Sequence, residues 1–427
     1  MSRKIITDSG VKLLIEDIPS SGAVSLGVWI DLGSRDEDDD ERGLAHVIEH
    51  MLFKGTGERS AFDIALQIDS YGGEINGSTD KENTSYFVNV AAEHWKEALD
   101  ILLDMYFNSS FNRNEFQRER LVILDEINMA IDDPEDYVGE LFSRALWGDH
   151  PLGLPVLGNK ETIVSLKRSD VLQFYRRHYR RSGLIVSVAG RVDSESFRSE
   201  VERQFREGRY TNGVGAMNSA RKKPRSQAVT CTEVRDISQV HVICGVEGYG
   251  SRDEHRFSIM LLNMIIGNSF SSRLFQRIRE EKGLCYSISS NTITYSDAGE
   301  FSIGFSTSPE NLPKVLDEID RELRNVVTGG IRSEELELAK DKVRGNFVLG
   351  MESIEWKMVR MAMQEMLYGK LIPHEETVER INAVTIDDVA QVVEELFQNR
   401  VFSIASIGPP GHDAFVDQFR FSFSPPA

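Results

Sequence analysis

The stretch GLAHVIEHMLFKGT, residues 43–56, places two histidines and a glutamate inside a run that is otherwise apolar. His46, Glu49 and His50 follow the i, i+3, i+4 spacing that brings side chains onto one face of a helix. Ionisable groups are costly among apolar neighbours unless a partner compensates them. The stretch therefore predicts a helix, within residues 39–56, whose polar face holds a partner.

A metal ion is the partner that this spacing favours. Two histidines one helical turn apart can bind a single ion, and the order H-x-x-E-H is a signature of zinc peptidases. Catalytic zinc usually takes three protein ligands and leaves a fourth position for water, so a further carboxylate is expected elsewhere in the chain. The alternative is that His46 and His50 are two satisfied histidines on an ordinary helix face.

The segment RNEFQRERLVILDEINMAIDDPED, residues 113–136, supplies the candidate carboxylates. Glu119 and Glu126 are seven residues apart, so two helical turns place both on one face. Glu126 lies within the apolar run LVILDEI and is expected to be the more deeply embedded of the two, which favours it as the third metal ligand. Glu119 is then expected to hold a ligand or a water by a hydrogen bond.

Length and charge limit the classes of protein to which the chain can belong. Its 427 residues exceed what one hydrophobic core usually supports, so at least two domains are expected. The net charge of −19 argues against nucleic acid as the main partner. This charge favours basic ligands if it lines a cavity, and the alternative is a solvated acidic surface.

The sequence gives little sign of a membrane or targeting segment. Apolar runs stay well short of the roughly 18 residues that a membrane span needs, and the N-terminal sequence lacks the apolar core of a signal peptide. The three cysteines give neither a disulfide framework nor a paired metal motif. We therefore expect a cytoplasmic bacterial protein without a membrane span, signal peptide or transit peptide.

An internal repeat divides the chain into two related parts. The sequence GSRDE occurs at residues 33–37 and again at residues 250–254, each time after a strand-like run and before an apolar-periodic helix. The same offset carries His46, Glu49 and His50 onto Asn263, Ile266 and Gly267. A shared fold thus does not need the His/Glu set, so the first part carries it for another reason.

The segment EGRYTNGVGAMNSARKKPRSQA, residues 207–228, lacks periodicity and is rich in Gly, Asn and Ser, as is typical of a boundary. We expect a catalytic domain over 1–212, a linker over 213–228, and a homologous domain without metal ligands over 229–427. Strand-like runs alternate with helical patterns in both parts, which indicates an α/β or α+β fold. The Met-rich stretch MVRMAMQEM, residues 358–366, has helical spacing and is expected in a core.

These motifs resemble those of the pitrilysin/insulinase (M16) family of inverted-zincin metallopeptidases, and within it the two-domain branch similar to the mitochondrial processing peptidase. In that family the ligand glutamate follows the second histidine by 76 residues, as Glu126 follows His50 here, and a second glutamate stands seven residues earlier, as Glu119 does. The resemblance implies an α+β fold of two homologous domains, each a mostly antiparallel β-sheet packed with α-helices (the LuxS/MPP-like metallohydrolase fold).

The same resemblance implies the chemistry. The chain is expected to hold one Zn²⁺ through His46, His50 and Glu126, and to hydrolyse peptide bonds with Glu49 as general base. The implied activity is that of a zinc metalloendopeptidase of the processing-protease type, acting on unfolded peptides or presequence-like segments. Manganese and cobalt suit the same ligands.

The run YGGEINGSTDKENTSYF, residues 71–87, is similar to a family segment that follows the zinc helix. By this resemblance Asn76, Gly77, Ser78 and Thr79 form an edge strand to which a substrate peptide adds by backbone pairing. Gly77 stands where the family often has alanine. The alternative reading of Asn76 and Thr79 is ordinary turn chemistry at a strand end.

A second family motif implies catalytic roles for Arg279 and Tyr286, in SSRLFQRIREEKGLCYSISS, as groups that bind the substrate backbone and stabilise the oxyanion. By analogy with four-domain relatives, we expect them to act in trans, on the zinc of the partner in a clam-like homodimer. The alternatives are a heterodimer with a different inactive partner, a non-catalytic structural subunit, and a metal-storage or sensor protein.

Overall fold

The computed structural model of the protein describes residues 2–179, 183–206, 221–398 and 400–423. The predicted linker lies partly outside this range, since residues 213–220 are not among those described, and residues 221–228 form neither helix nor strand. Within the described part, no helix combines the length and apolarity required to cross a bilayer.

The elements are numbered in chain order. The strands are β1 (Arg3–Ile6), β2 (Lys12–Asp17), β3 (Ala23–Ile30), β4 (Glu74–Thr79), β5 (Thr84–Ala91), β6 (Ile185–Gly190), β7 (Thr230–Val234), β8 (Val240–Gly248), β9 (Ser287–Thr294), β10 (Gly299–Thr307) and β11 (Ser403–Gly408). The helices are α1 (Leu44–Leu52), α2 (Ala61–Ser70), α3 (Trp95–Asn108), α4 (Arg113–Asp132), α5 (Pro134–Trp147), α6 (Lys160–Ser165), α7 (Arg168–His178), α8 (Ser194–Arg206), α9 (Arg256–Ile266), α10 (Leu312–Gly329), α11 (Ser333–Gly350), α12 (Ile354–Tyr368), α13 (His374–Ala383), α14 (Ile386–Phe397) and α15 (His412–Val416).

The chain forms two compact units, and each combines segments that are distant in sequence. The first unit contains Met1–Asn128, Pro155–Arg221 and Leu349–Leu371, and the second contains Met129–Leu154, Lys222–Val348 and Ile372–Ala427. The predicted domains, 1–212 and 229–427, divide the sequence at one point, whereas each compact unit also contains one helix from the other half of the sequence. The predicted limits therefore stay a prediction.

The first unit is built on a sheet with strand order β1-β2-β6-β3-β5-β4. Neighbouring strands are antiparallel except β2 and β6, which pair in parallel. The central strand β3 is buried along almost its whole length, as its Val, Leu, Trp and Ile side chains require. Strand β4 lies at the edge, and no further described strand pairs with its outer side.

The second unit repeats this plan with the order β7-β11-β8-β10-β9, in which only β7 and β11 run parallel. The two faces of β11 belong to different core clusters, because side chains alternate along a strand. Ile404 packs in the cluster that contains helices α9, α10 and α14, whereas Ala405 and Ile407 pack with helix α5. The expected pair of mostly antiparallel sheets packed with helices is confirmed.

Helices α5 and α12 are the two that cross between the parts of the sequence. Helix α5 packs on the sheet of the second unit, where the hydroxyl of Ser403 donates to the carbonyl of Ala145. Helix α12 packs on the sheet of the first unit, where Ser187 Oγ donates to the carbonyl of Met358 over 2.8 Å. Met358 and Met361 are fully buried there against β-strand residues, so the prediction that the Met-rich stretch is a core helix is confirmed.

Candidate metal centre

Helix α1 carries the H-x-x-E-H residues and is held in the core by its other faces. Leu44, Ile48 and Met51 are at most 1% exposed, which fixes the helix orientation. His46 and His50 then lie on the same face, with ring centroids 4.6 Å apart and ring planes at 66°. The helix begins at Leu44, later than predicted, because the preceding residue, Gly43, has a φ of +90° and is therefore not helical.

Helix α4 brings Glu126 to the two imidazoles. Its Oε2 atom lies 3.8 Å from Nε2 of His46 and 3.4 Å from Nε2 of His50. One ligand atom from each of the three residues lies within 4.8 Å of the other two. A tetrahedral zinc site with bonds of about 2.0–2.1 Å places its ligand atoms about 3.3 Å apart, so this donor set fits a single ion with small adjustments.

The electrostatics of the three residues favour a cation. Burial and the neighbouring His50 lower the pKa of His46 to about 4, so its imidazole is neutral at pH 7 and offers a lone pair. The Nδ1 atom of His46 is buried and has no hydrogen-bond partner among the residues that the structure describes. The two imidazoles and the Glu126 carboxylate face one another, and within the described part of the chain no lysine or arginine forms an ion pair with that carboxylate. A divalent metal would supply the positive charge that this group of acceptors requires.

Glu119 supports the centre from behind His50. Its Oε2 atom lies 3.0 Å from Nδ1 of His50, and its Oε1 atom lies 2.9 Å from Nζ of Lys54. With Nδ1 donating to this carboxylate, Nε2 of His50 carries the lone pair on the side of Glu126. The hydrogen-bonding role predicted for Glu119 agrees with this geometry.

The reason for preferring Glu126 over Glu119 was wrong. The Glu119 side chain is 7% exposed and that of Glu126 is 36% exposed, so Glu119 is the more deeply embedded carboxylate. The apolar run around Glu126 wraps round the helix: Ile123 is fully buried, but Leu121 is 62% exposed. What distinguishes Glu126 is its distance to both Nε2 atoms.

Glu49 lies between the metal centre and the edge strand β4. Burial raises its pKa, and Thr79 and His50 partly oppose this increase. A Cβ atom on Gly77 would lie 3.1 Å from Cγ of Glu49 and 2.9 Å from the Phe53 ring, so the glycine leaves that space to the Glu49 side chain. The Thr79 hydroxyl is buried, whereas Asn76 and Ser78 are exposed.

The four predicted substrate-binding residues all lie in β4, in register with β5, where Gly77 is opposite Tyr86. Asn76 Oδ1 accepts a hydrogen bond from the amide of Gly77 over 2.9 Å, a contact between adjacent residues within the strand. The outer side of the strand is the place where an added peptide would pair. Both readings of Asn76 thus remain compatible with its position.

Arg279 and Tyr286 lie in the second unit and contact each other. Arg279 belongs to a π-helical segment, Phe275–Glu281, and its Cζ atom lies 5.2 Å from the centroid of the Tyr286 ring. Tyr286 is 80% exposed, so its hydroxyl is accessible. Burial raises the pKa of the adjacent Cys285 to about 11, which agrees with a packing role for that thiol.

Two residues near the centre were not predicted. Lys54 pairs with Glu119, and its position four residues after His50, just past the end of α1, is the signal that could have indicated it. Glu37 accepts hydrogen bonds from the first backbone amides of α1, and its place in the repeated GSRDE motif is the only sequence signal for it.

Family models match most of the chain. The model of Insulinase (Peptidase family M16) matches residues 12–160, and that of the Peptidase M16 inactive domain matches residues 165–343. The chain is 36% identical over 412 residues to the uncharacterized zinc protease YmxG of Bacillus subtilis (strain 168). The aligned region covers 96% of this chain and 99% of that protein. An uncharacterized zinc protease of Mycobacterium leprae (strain TN) is 36% identical over 402 residues, covering 94% of this chain and 90% of that protein.

Solved structures share the fold. A protease from Helicobacter pylori superposes with a TM-score of 0.86 at 20% identity, covering 96% of this chain and all of that one. A structure from Pseudomonas fluorescens titled as a peptidase M16 inactive domain gives a TM-score of 0.87 at 17% identity, covering 96% and 98% of the two chains. The sequence matches, supported by this common fold, establish that the chain belongs to the M16 (insulinase) peptidase family.

Proposed function

We propose that this protein is a zinc-dependent metalloendopeptidase. The observation that carries the proposal is the convergence of His46, His50 and Glu126 on one point, with Glu49 beside them on α1. Relatives that match over nearly the whole chain are named zinc proteases, which supports the choice of metal and reaction.

The chain's own residues divide the chemistry among them. When bound by His46, His50 and Glu126, Zn²⁺ supplies Lewis acidity that polarises water and the substrate carbonyl. Glu49 accepts a proton from the attacking water and later delivers it to the leaving amine, a role for which its raised pKa is suited. Glu119 keeps the His50 ring oriented through Nδ1.

The outer side of β4, with which no described strand pairs, supports the proposed class of substrate. Backbone pairing with this strand requires an extended peptide, so unfolded peptides or presequence-like segments are the proposed substrates. Asn76, Gly77, Ser78 and Thr79 would take part through their main chain, because backbone pairing reads little sequence. The face of the strand next to Glu49 brings the paired peptide close to the general base.

Arg279 and Tyr286 are proposed to bind the substrate backbone and the oxyanion from the partner subunit of a homodimer. Their mutual contact and the exposure of Tyr286 support this role. We further propose a cytoplasmic location in a bacterial cell, consistent with the bacterial relatives.

Cleavage of a generic unfolded peptide tests the proposal. The wild type is expected to bind one zinc per chain and to cleave the peptide, with activity lost in a chelator and restored by zinc. Glu49→Gln is expected to keep its zinc and to lose turnover by a factor of at least about 100. A chain that binds zinc but cleaves nothing, even as a dimer by native mass spectrometry, would instead support a non-catalytic or heterodimer-dependent subunit.

A further inference from the structure

The N-terminus of the zinc helix α1 has no capping side chain of its own. The residue at its N-cap position is Gly43, and a Cβ there would lie 2.8 Å from both the Leu157 carbonyl oxygen and the Ile163 side chain. The close approach excludes the Ser, Thr, Asp or Asn that usually satisfies the first backbone amides of a helix. Those amides therefore need an acceptor from elsewhere in the chain.

Glu37 is that acceptor. Its Oε1 atom accepts from the amide of Ala45 over 2.7 Å, and its Oε2 atom accepts from the amide of Gly43 over 2.9 Å. The residue is only 4% exposed, so the helix end rather than solvent is its main partner.

The loop that carries Glu37 is fastened to the hairpin of the edge strand. Backbone amides of Ser34 and Arg35 donate to the carbonyls of Asp80 and Lys81 over 3.1 and 2.7 Å. The approach is so close that a Cβ on Gly33 would lie 2.2 Å from the Asp80 carbonyl oxygen. Glu37 thus ties the start of the zinc helix to the end of strand β4, on which the proposed substrate strand depends.

The second copy of GSRDE shows which of the two contacts, the loop–hairpin hydrogen bonds or the cap on the helix, the fold itself needs. There the amide of Ser251 donates to the carbonyl of Tyr295 over 2.8 Å, so the fastening of the loop to a hairpin is repeated. Glu254, the counterpart of Glu37, is exposed, and helix α9 begins at Arg256 with His255 at its N-cap position. The second copy therefore folds without this cap, and its helix α9 lacks the two histidines and the glutamate of α1.

The position of His46 explains why the first copy needs the cap. His50 is oriented by Glu119, but the Nδ1 atom of His46 has no such partner among the described residues. The location of its ring therefore depends on the backbone of the first turn of α1, in which it is the third residue. Glu37 holds that turn.

We propose that Glu37 is a positioning residue for the metal centre, which sets the first turn of α1 and through it the His46 ligand. The inference rests on the proposed function, because it assumes that His46 binds zinc. Its consequence is that the affinity for zinc depends on a hydrogen-bond acceptor that contacts neither the metal nor any ligand side chain.

Zinc affinity, measured by competition with a chromophoric chelator, tests this role. At a temperature where circular dichroism shows every variant folded, Glu37→Ala is expected to bind zinc about tenfold more weakly than the wild type, and Glu37→Gln, which keeps one acceptor, to lose less. Glu254→Ala is the matched control from the second copy and is expected to bind as the wild type does. Hydrogen exchange of the metal-free chain is expected to be faster at residues 43–47 in Glu37→Ala.

The outcomes separate the two proposals. A wild type that binds zinc no better than His46→Ala contradicts the proposed function itself. A wild type that binds zinc, with Glu37→Ala and Glu37→Gln both within twofold of it, overturns the role of Glu37 alone. Equal exchange rates at residues 43–47 in the wild type and both variants would also overturn it.

Discussion

The carboxylate of Glu119 joins His50 to Lys54: it lies 3.0 Å from Nδ1 of the imidazole and 2.9 Å from Nζ of the ammonium group. Because Glu119 is buried, its charge requires both partners. These contacts favour the His50 tautomer whose Nδ1 carries the proton, and they hold the ring of this proposed metal ligand in place.

Removal of the Glu119 carboxylate is therefore expected to weaken the metal centre. Glu119→Ala is predicted to reduce zinc affinity by about 10–100-fold, the usual effect of losing a hydrogen-bond partner of a ligating histidine. Chelator competition measures the change. Glu115→Ala is the control: Glu115 lies one turn earlier on α4, where it forms an ion pair with the exposed Arg118, and its removal is expected to leave zinc affinity unchanged. Equal affinities of Glu119→Ala and the wild type would contradict the role of Glu119.

Stability is expected to depend on pH through Glu37. Burial raises the pKa of Glu37 from 4.5 to about 8, although the amides of Ala45 and Gly43 and the Arg42 guanidinium oppose burial and Glu41 adds to it. A carboxyl whose pKa is raised by folding contributes stability below its unfolded pKa, and this contribution is lost as pH rises through the folded pKa. The wild type is thus expected to lose stability relative to Glu37→Gln between about pH 4.5 and 8.

Thermal unfolding of the metal-free chain in a chelator checks this pH dependence. The difference in midpoint between the wild type and Glu37→Gln is expected to change across that pH range. The same comparison with Glu254→Gln, at an exposed position, is expected to give a constant difference. A constant difference for both pairs would show that Glu37 ionises in the folded chain much as it does in the unfolded one.

Met358 is expected to be a major contributor to the stability of the first unit. It is fully buried against the sheet, in a cluster with Leu14 and Trp29. Met358→Ala removes most of this side chain and is predicted to cost about 2–5 kcal/mol of unfolding free energy. Denaturant unfolding measures the loss, and Met129→Ala, at a residue that is 71% exposed, is the control. A Met358→Ala variant as stable as the control would contradict the assigned packing of α12.

Subunit complementation tests the proposed action of Arg279 and Tyr286 in trans. His46→Ala and Tyr286→Ala chains are each expected to be inactive alone. After subunit exchange in an equal mixture, half of the dimers contain one of each chain and one intact site, so about a quarter of the wild-type activity is expected. Exchange is verified by native mass spectrometry. Complete inactivity of a mixture that has exchanged would exclude the trans arrangement.

The sequence predicted those features of the site that depend on local spacing. Helical periodicity predicted that His46, Glu49 and His50 share one face of a helix, and they do so on α1. The seven-residue separation predicted that Glu119 and Glu126 share one face of a second helix, which is α4. Periodicity alone did not give their depth, because burial depends on which neighbours pack on each face. The order of exposure of Glu119 and Glu126 was therefore predicted wrongly.

Long-range contacts escaped prediction for a related reason. A hydrophobic pattern shows that a helix has an apolar face but not which sheet covers it, so the packing of α5 and α12 on sheets of the other part was not foreseen. Glu37 escaped because its acceptor role depends on a loop that folds back onto a helix end eight residues later. For a residue such as Glu37, a motif that occurs twice in the sequence is a better indication of a structural role than hydrophobic periodicity.

The crossing of α5 and α12 bears on what happens when the backbone is severed near residues 221–228. Each product would keep its strands but lose the helix that shields one side of its sheet. Trp29 of the N-terminal fragment would then meet water, as would Tyr295, Ala405 and the methionines of α12 in the C-terminal fragment. Such fragments are expected to stay associated or to precipitate rather than to persist as free globules, since newly bared apolar patches drive aggregation. A single nick would thus leave the molecule whole, whereas physical separation of the pieces would destroy both.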